Sequence, residues 1–333
     1  MTSAAPTRKP APAIVWRWSW ALLGALCALP AALVTLQSPS HGLALAFGAL
    51  PAAAMGVRGT RGSRHQILVV GLAIGVGLVV GAILASYPLL AVGWIFLVCL
   101  GAAVLSARVR IGSLLTMLAV PMVGAGLSFE GDVAAALELA GLMALGAVYG
   151  WLLCLCWPDQ EAEVQAAALP GRATMIEYGV RFGLAGATCA GLGYVLDLDH
   201  KGWATAACLL VMRPSSEMTR LRGVGRALSV TVGALAASVL ALGDVEPAVI
   251  AIGVLAALTG LAATRPSRWY VTGGFTTFIV ILLLVYGAPN QAPGRFLERV
   301  GETLLGVGIA LCFGVVWPAL TRSATPTSAL RGS

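Results

Sequence analysis

The chain has 333 residues, 59% of them hydrophobic and 11% charged, with a mean hydropathy of +0.90. A water-soluble domain carries about 25% charged residues, so a cytosolic enzyme, a secreted disulfide scaffold and a disordered tail protein are excluded, and lipid must be the solvent over most of the chain. The net charge of +7 then becomes a question of where the charges lie.

Apolar runs long enough to cross about 30 Å of hydrocarbon fall at 18–37, 43–57, 66–86, 88–105, 110–127, 133–157, 178–196, 202–214, 223–242, 247–263, 269–286 and 297–318. The runs at 43–57 and 202–214 are short and need flanking residues or local helix breaks to span. The seven cysteines all lie in apolar runs and read as small hydrophobes, with neither disulfide nor metal-ligand spacing. The 41 glycines suit closely packed membrane helices.

Alternating the connections puts eighteen Lys and Arg residues on one side and Lys201, Arg295 and Arg299 on the other. Cytoplasmic loops collect positive charge, so both termini are expected in the cytoplasm. Topology thereby accounts for the basic segments, and nucleic acid is not an expected partner. The opposite loops are acidic, with Glu130, Asp132, Asp197, Asp199, Asp244 and Glu246.

The chain reads as a tandem duplication. Cys156-Trp157-Pro158 ends the sixth run and Val316-Trp317-Pro318 the twelfth, a shift of 160 residues, at which Gly146 also meets Gly306, Glu138 meets Glu298 and Arg108 meets Arg268. Six spans per copy is an even number, so the copies form parallel repeats related by an axis along the membrane normal, an arrangement that encloses a site near the midplane in transporters. The expected architecture is all-α, with about twelve transmembrane helices. It comprises a cytoplasmic tail at 1–17, a first six-helix repeat at 18–158, a cytoplasmic linker at 159–177, a second repeat at 178–318 and a cytoplasmic tail at 319–333.

The most distinctive stretches are His200-Lys201-Gly202-Trp203, then Arg213-Pro214-Ser215 and Arg220, Arg222 and Arg226 before Gly233, and finally Arg299-Val300-Gly301-Glu302-Thr303-Leu304-Leu305-Gly306. At these residues the chain resembles the fusaric acid resistance protein-like family, the aromatic acid exporters. The resemblance covers most of 175–318 and, more weakly, 17–158, where His41-Gly42 stands for His200 to Gly202, Arg64 for Arg226 and Gly71 for Gly233. A Gly-Thr pair of the family pattern is Ser229-Val230 here. The resemblance implies export of aromatic or other organic acids across a bacterial inner membrane.

The residue chemistry reaches a compatible reading. An arginine at the end of a membrane helix can grip a carboxylate bidentately, or merely anchor the helix by snorkelling to the headgroups; Arg213, Arg226 and Arg181 face this choice. Trp203, like Trp269 and Tyr270, can stack an aromatic solute or sit at the interface for amphipathic reasons. Carboxylates within a span are costly unless paired, hydrated or protonated part of the time. Glu302 and Glu138 are therefore proton-coupling candidates, Glu302 with a structural pair to Arg299 as its alternative and Glu138 with an outer-end helix charge as its own. His200 titrates near external pH and joins them, although a capping role fits it equally well.

The expectation is a proton-coupled secondary exporter of small organic anions, without cofactor or metal, in contact with lipid, and with homo-oligomerisation left open. A major facilitator is the runner-up: residues 56–65 keep Gly56, Arg61 and Arg64 of its loop signature but carry Thr60 and Ser63 instead of the rest. A non-transporting membrane scaffold is the reading from another class. An enzyme finds neither a nucleophile with a nearby base nor a metal cluster.

Overall fold

A computed structural model describes residues 14–55, 60–159, 169–198, 200–240, 246–265, 267, 271, 275, 278, 279, 282 and 294–323, with side chains as far as 228 in α9 and from 300 onward in α11. Ten helices precede the final pair: α1 (Trp18–Thr35), α2 (Pro39–Met55), α3 (His65–Leu84), α4 (Pro88–Ser106), α5 (Ile111–Phe129), α6 (Val133–Leu155), α7 (Arg172–Val195), α8 (Lys201–Val211), α9 (Ser216–Leu240) and α10 (Pro247–Ala263). The last are α11 (Gly294–Leu311) and α12 (Trp317–Ser323), joined by the π turn Cys312–Val316. No strand occurs among the described residues.

Local sequence explains several boundaries. Pro88 and Pro247 open α4 and α10, where their missing N–H is no loss. The Asp132 carboxylate accepts from the Ala135 N–H and caps α6, and the Ser215 hydroxyl does the same for the Met218 N–H at the start of α9.

The side chains are arranged for lipid. In α4 the buried positions Ala91, Ile95, Cys99, Ala103 and Ser106 recur every three or four residues, while Leu89, Leu90, Trp94 and Leu97 face outward. A helix in water would present the opposite pattern. Six helices among the described residues are long and apolar enough to cross a membrane: α1, α3 with its preceding turn, α4, α5, α6 and the Val300–Thr321 stretch of α11 and α12. The run expected at 269–286 lies almost wholly outside the described residues.

Packing relates the early helices to the late ones. Helix α1 lies against α10 and α7 against α4; α2 packs on α6 and α8 on α11. A Cβ on Gly146 of α6 would strike the Leu45 carbonyl of α2, and one on Gly306 of α11 would strike the Ala204 carbonyl of α8. These two glycines are the pair matched at the 160-residue shift, and both let one backbone lie directly on another.

Three differences from the sequence reading bear on the site. Helix α7 begins at Arg172, six residues inside the stretch read as linker, because Arg172 to Glu177 are adequate helix formers. The second Trp-Pro pair does not end a helix. Trp157 and Pro158 follow the end of α6, whereas Trp317 and Pro318 open α12, which continues to Ser323. The third concerns α8, the short run at 202–214, which has only eleven residues and is thus about 16 Å long. It stops before a non-helical break at Met212 to Ser215.

Candidate functional site

The first half of the break between α8 and α9, Met212 and Arg213, is buried within the bundle, while Pro214 and Ser215 are exposed. The Tyr178 hydroxyl of α7 donates to the Met212 carbonyl at 3.2 Å, six residues in from the start of α7, or roughly 9 Å. A Cβ on Gly314, in the π turn after α11, would meet Thr219 and Met212, and the helical path from there to Ser323 is roughly 13 Å. Irregular backbone at such depth is tolerated only where protein surrounds it or where it lines a cavity.

Thr219 holds the break together. Its hydroxyl accepts from the Arg213 N–H at 3.0 Å and donates toward the Arg213 and Ser215 carbonyls at 3.1 and 3.2 Å. Because Thr219, Arg222 and Arg226 recur at spacings of three and four, they share a face of α9, and Thr219 and Arg226 are both buried. Gly314 faces Thr219 and Leu311 faces Gly223, so α9 runs antiparallel to α11, with Arg226 farther inside than the break.

All three arginines singled out as anion ligands are buried: Arg213 is 4% exposed, Arg181 7% and Arg226 8%. Snorkelling to the headgroups would have left them open to solvent or lipid. Their nitrogens are only partly used. Arg213 donates through Nη1 to the Met212 carbonyl, while its Nε is buried with no hydrogen-bond partner. Arg181 pairs with the exposed Glu177 carboxylate at 3.4 Å, leaving Nε and Nη1 buried without a partner. Arg226 makes no ion pair among the described residues, and its Nε is likewise buried and unpartnered. Arg222 lies close enough to Arg213 to act on it electrostatically, and both act on the Tyr178 hydroxyl.

The other named residues gather at the opposite end of α8. Glu302 is buried, and its Oε1 accepts from the His200 N–H at 3.2 Å, placing a carboxylate at the positive end of the α8 dipole. The Trp203 ring meets His200 edge-on, with centroids 6.1 Å apart. Lys201 binds Glu130 at 2.7 Å and Asp197 at 3.6 Å, fastening α8 to the end of α5. Glu138 is 62% exposed and pairs with His41 at 3.0 Å, in keeping with a charge at a helix end. The Arg299 side chain, Trp269 and Tyr270 lie outside the described residues, so the Arg299–Glu302 pairing does too.

Sequence reasoning grouped Glu302 and His200 apart from the arginines but placed Trp203 with them. Trp203 and Arg213 sit at opposite ends of α8, roughly 15 Å apart along the chain axis, and the structure does not bring the indole to the arginines. It also adds Tyr178 and Thr219, neither of which sequence singled out. Thr219 has a local signal, standing four residues after Ser215 on the first turn of a helix that follows a proline; Tyr178 has none, because only the α7–α8 packing brings it to Met212.

Arg64, matched in sequence to Arg226, occupies a different setting. It is 2% exposed and donates to the carbonyls of Cys154, Trp157 and Pro158 at 2.6, 2.7 and 3.0 Å, with the Asp159 carboxylate at 3.2 Å. These groups lie in and just beyond the last turn of α6, where helix carbonyls lack intrahelical donors.

Residues 187–313, from the middle of α7 into the π turn after α11, match the family model described as fusaric acid resistance protein-like. No curated protein and no solved structure matches the chain. The helix break, Arg213, Arg222, Arg226 and the Glu302 contact fall inside the matched stretch, while Tyr178 and Arg181 precede it, and what the second part of this membrane-type helical chain carries is a fusaric acid resistance protein-like segment.

Proposed function

We propose that the chain is a secondary transporter that exports small organic anions, aromatic carboxylates among them, across a bacterial inner membrane in exchange for protons. The observation that carries this reading is the set of buried guanidinium groups of Arg213 and Arg226, at and beyond the α8–α9 break, and of Arg181 on α7, with nitrogens that have no hydrogen-bond partner among the described residues. A buried charge is retained only where something compensates it, and a carboxylate gripped by the planar fork of Arg226, with Arg213 and Arg181 adding field, supplies that compensation. In this reading the chain is built from two parallel six-span repeats with both termini cytoplasmic. The matched close approaches at Gly146 and Gly306 and the reciprocal α1–α10 and α7–α4 packing support the repeat. The basic asymmetry of the loops supports the orientation. Glu302, buried at the other end of α8, is the proton carrier.

The test is efflux of a panel of aromatic and aliphatic carboxylic acids from cells with and without the chain. Expression should speed the loss of at least one acid, and Arg226→Lys, which keeps charge but loses the fork, should slow it at unchanged membrane abundance. Efflux that is the same with and without the chain for every acid overturns the reading; a parental rate in Arg226→Lys removes the bidentate role.

A further inference from the structure

We infer that the arginine site takes an organic dianion, a molecule carrying two carboxylates, in preference to a monocarboxylate; this rests on the reading of that site as an anion-binding site. Two observations carry it beyond a general preference for negative charge. First, the cations are plural and held apart on one rigid unit. The Arg213 backbone is tied to Thr219 through both its N–H and its carbonyl, and Arg226 lies seven residues beyond Thr219 on the same face of α9, a rise of roughly 10 Å. Second, neither has an acidic partner among the described residues. Arg213 is buried beside another cation, Arg222, and its side-chain hydrogen bond among those residues goes to a neutral carbonyl. Arg226 has no ion pair among the described residues. Arg181 does have a carboxylate, but that of Glu177 is 69% exposed.

A monoanion bound at Arg226 would leave the Arg213 charge desolvated and beside a like charge, so binding would neutralise only part of what the fold has buried. A dianion whose carboxylates are separated by a ring or a short chain reaches both guanidinium groups, given the length of two arginine side chains. Each carboxylate then meets a planar donor fork in a medium of low dielectric constant. Recognition of two separated charges also selects against neutral and singly charged metabolites of the same size, because these would leave a buried cation unpaired. Thr219 is the positioning residue. It fixes where the Arg213 backbone leaves the break, and its hydroxyl is engaged there.

The experiment uses the full chain purified in detergent, with benzene-1,4-dicarboxylate and its monomethyl ester as probes, which share size and ring but differ by one charge. Calorimetric titration should give an affinity about tenfold or more higher for the dicarboxylate, at one per chain. Arg213→Gln should cut dicarboxylate affinity to that of the ester while leaving ester affinity nearly unchanged. Arg226→Gln should weaken both, and Arg220→Gln, a change at an exposed position of α9, neither. If the parental protein binds the ester as tightly as the dicarboxylate, or takes two esters per chain, the dianion inference is overturned while the anion site stands. A preference that persists in Arg213→Gln overturns it as well. Binding of neither probe brings down the anion-site reading, and this inference with it. The comparison of the two probes on the parental protein decides the matter even where a variant fails to fold.

Discussion

Arg64 and Arg226, paired in the sequence reading, are both buried, yet their surroundings differ in kind. Around Arg64 the α6 helix ends at Leu155, and its last turn and the chain beyond it offer three carbonyls and the Asp159 carboxylate to one guanidinium. In the later part, the equivalent Trp-Pro pair remains helical because the π turn Cys312–Val316 carries α11 into α12. Carbonyls engaged within a continuing helix leave few acceptors for a side chain. Thr219, not an arginine, faces Gly314 there, and Arg226 lies farther along α9 with its Nε unpartnered. The helix that stops absorbs Arg64 into the fold; the one that continues leaves Arg226 Nε without a partner among the described residues.

That contrast makes opposite predictions for two chemically identical substitutions. Arg64→Met removes the donors of the buried Cys154 carbonyl and of the partly buried Trp157 and Pro158 carbonyls, at about 1–3 kcal/mol, so the anion-free protein should melt at clearly lower temperature. Arg226→Met removes a buried charge that the anion-free fold does not compensate. Replacing uncompensated buried charge by an apolar group of similar size is neutral or stabilising, so its melting temperature in the absence of anions should hold or rise while anion binding and efflux collapse. Equal destabilisation by the two changes, measured in detergent without carboxylate, would erase the distinction between a structural and a ligand-facing arginine.

A second prediction asks whether the two regions share a scaffold despite their different arginines. Gly146→Val and Gly306→Val each drive a side chain into a facing backbone carbonyl, of Leu45 and Ala204 respectively, where flexible atoms cannot move aside. Both should lose roughly 1–3 kcal/mol through overpacking, read as parallel falls in melting temperature. Gly141→Val and Gly301→Val, at glycines with nothing nearby for a Cβ to meet, should change little. A tolerated Gly306→Val beside a damaging Gly146→Val would mean that the α8–α11 contact is not the counterpart of the α2–α6 contact.

Much of this was legible in the sequence, and the part that was not has a common cause. Composition and apolar runs fixed the helical, lipid-facing character, since these depend only on what each segment can bury. Helices occupy eleven of the twelve expected runs among the described residues. The shortness of the run at 202–214 left a choice between flanking residues and a local helix break, and the chain takes the break, at Met212 to Ser215. What sequence could not supply was the depth of that break, which depends on where Tyr178 and Gly314 sit against it, or the separation of Trp203 and Glu302 from the arginines, which follows from α8 running between them. Nor could Trp-Pro repetition reveal that one copy ends a helix and the other does not. A π turn absorbs the residue that would otherwise break the chain, and five apolar residues carry no mark of it.

The smallest expected effect on folding, and the sharpest on coupling, belongs to Glu302→Gln. Glu302 lies on α11 with Oε1 accepting the His200 N–H at the start of α8. An amide keeps an oxygen acceptor at that place, so the His200 contact should persist and α8 stay docked, with about 1 kcal/mol lost from that contact because a neutral acceptor is weaker than a charged one. Were the carboxylate only a cap for α8, transport should change as little as stability does. A proton carrier behaves differently. It must bind and release a proton as access alternates, and glutamine cannot, so exchange of labelled anion across vesicles at equal pH should persist while net export driven by an imposed pH difference is lost. Glu138→Gln, at the exposed His41 pair, should alter neither, since an exposed ion pair contributes about 0–1 kcal/mol and is screened by salt. Export that still follows the pH difference in a well-folded Glu302→Gln protein leaves Glu302 as the anchor of α8 alone, and moves proton coupling elsewhere in the chain.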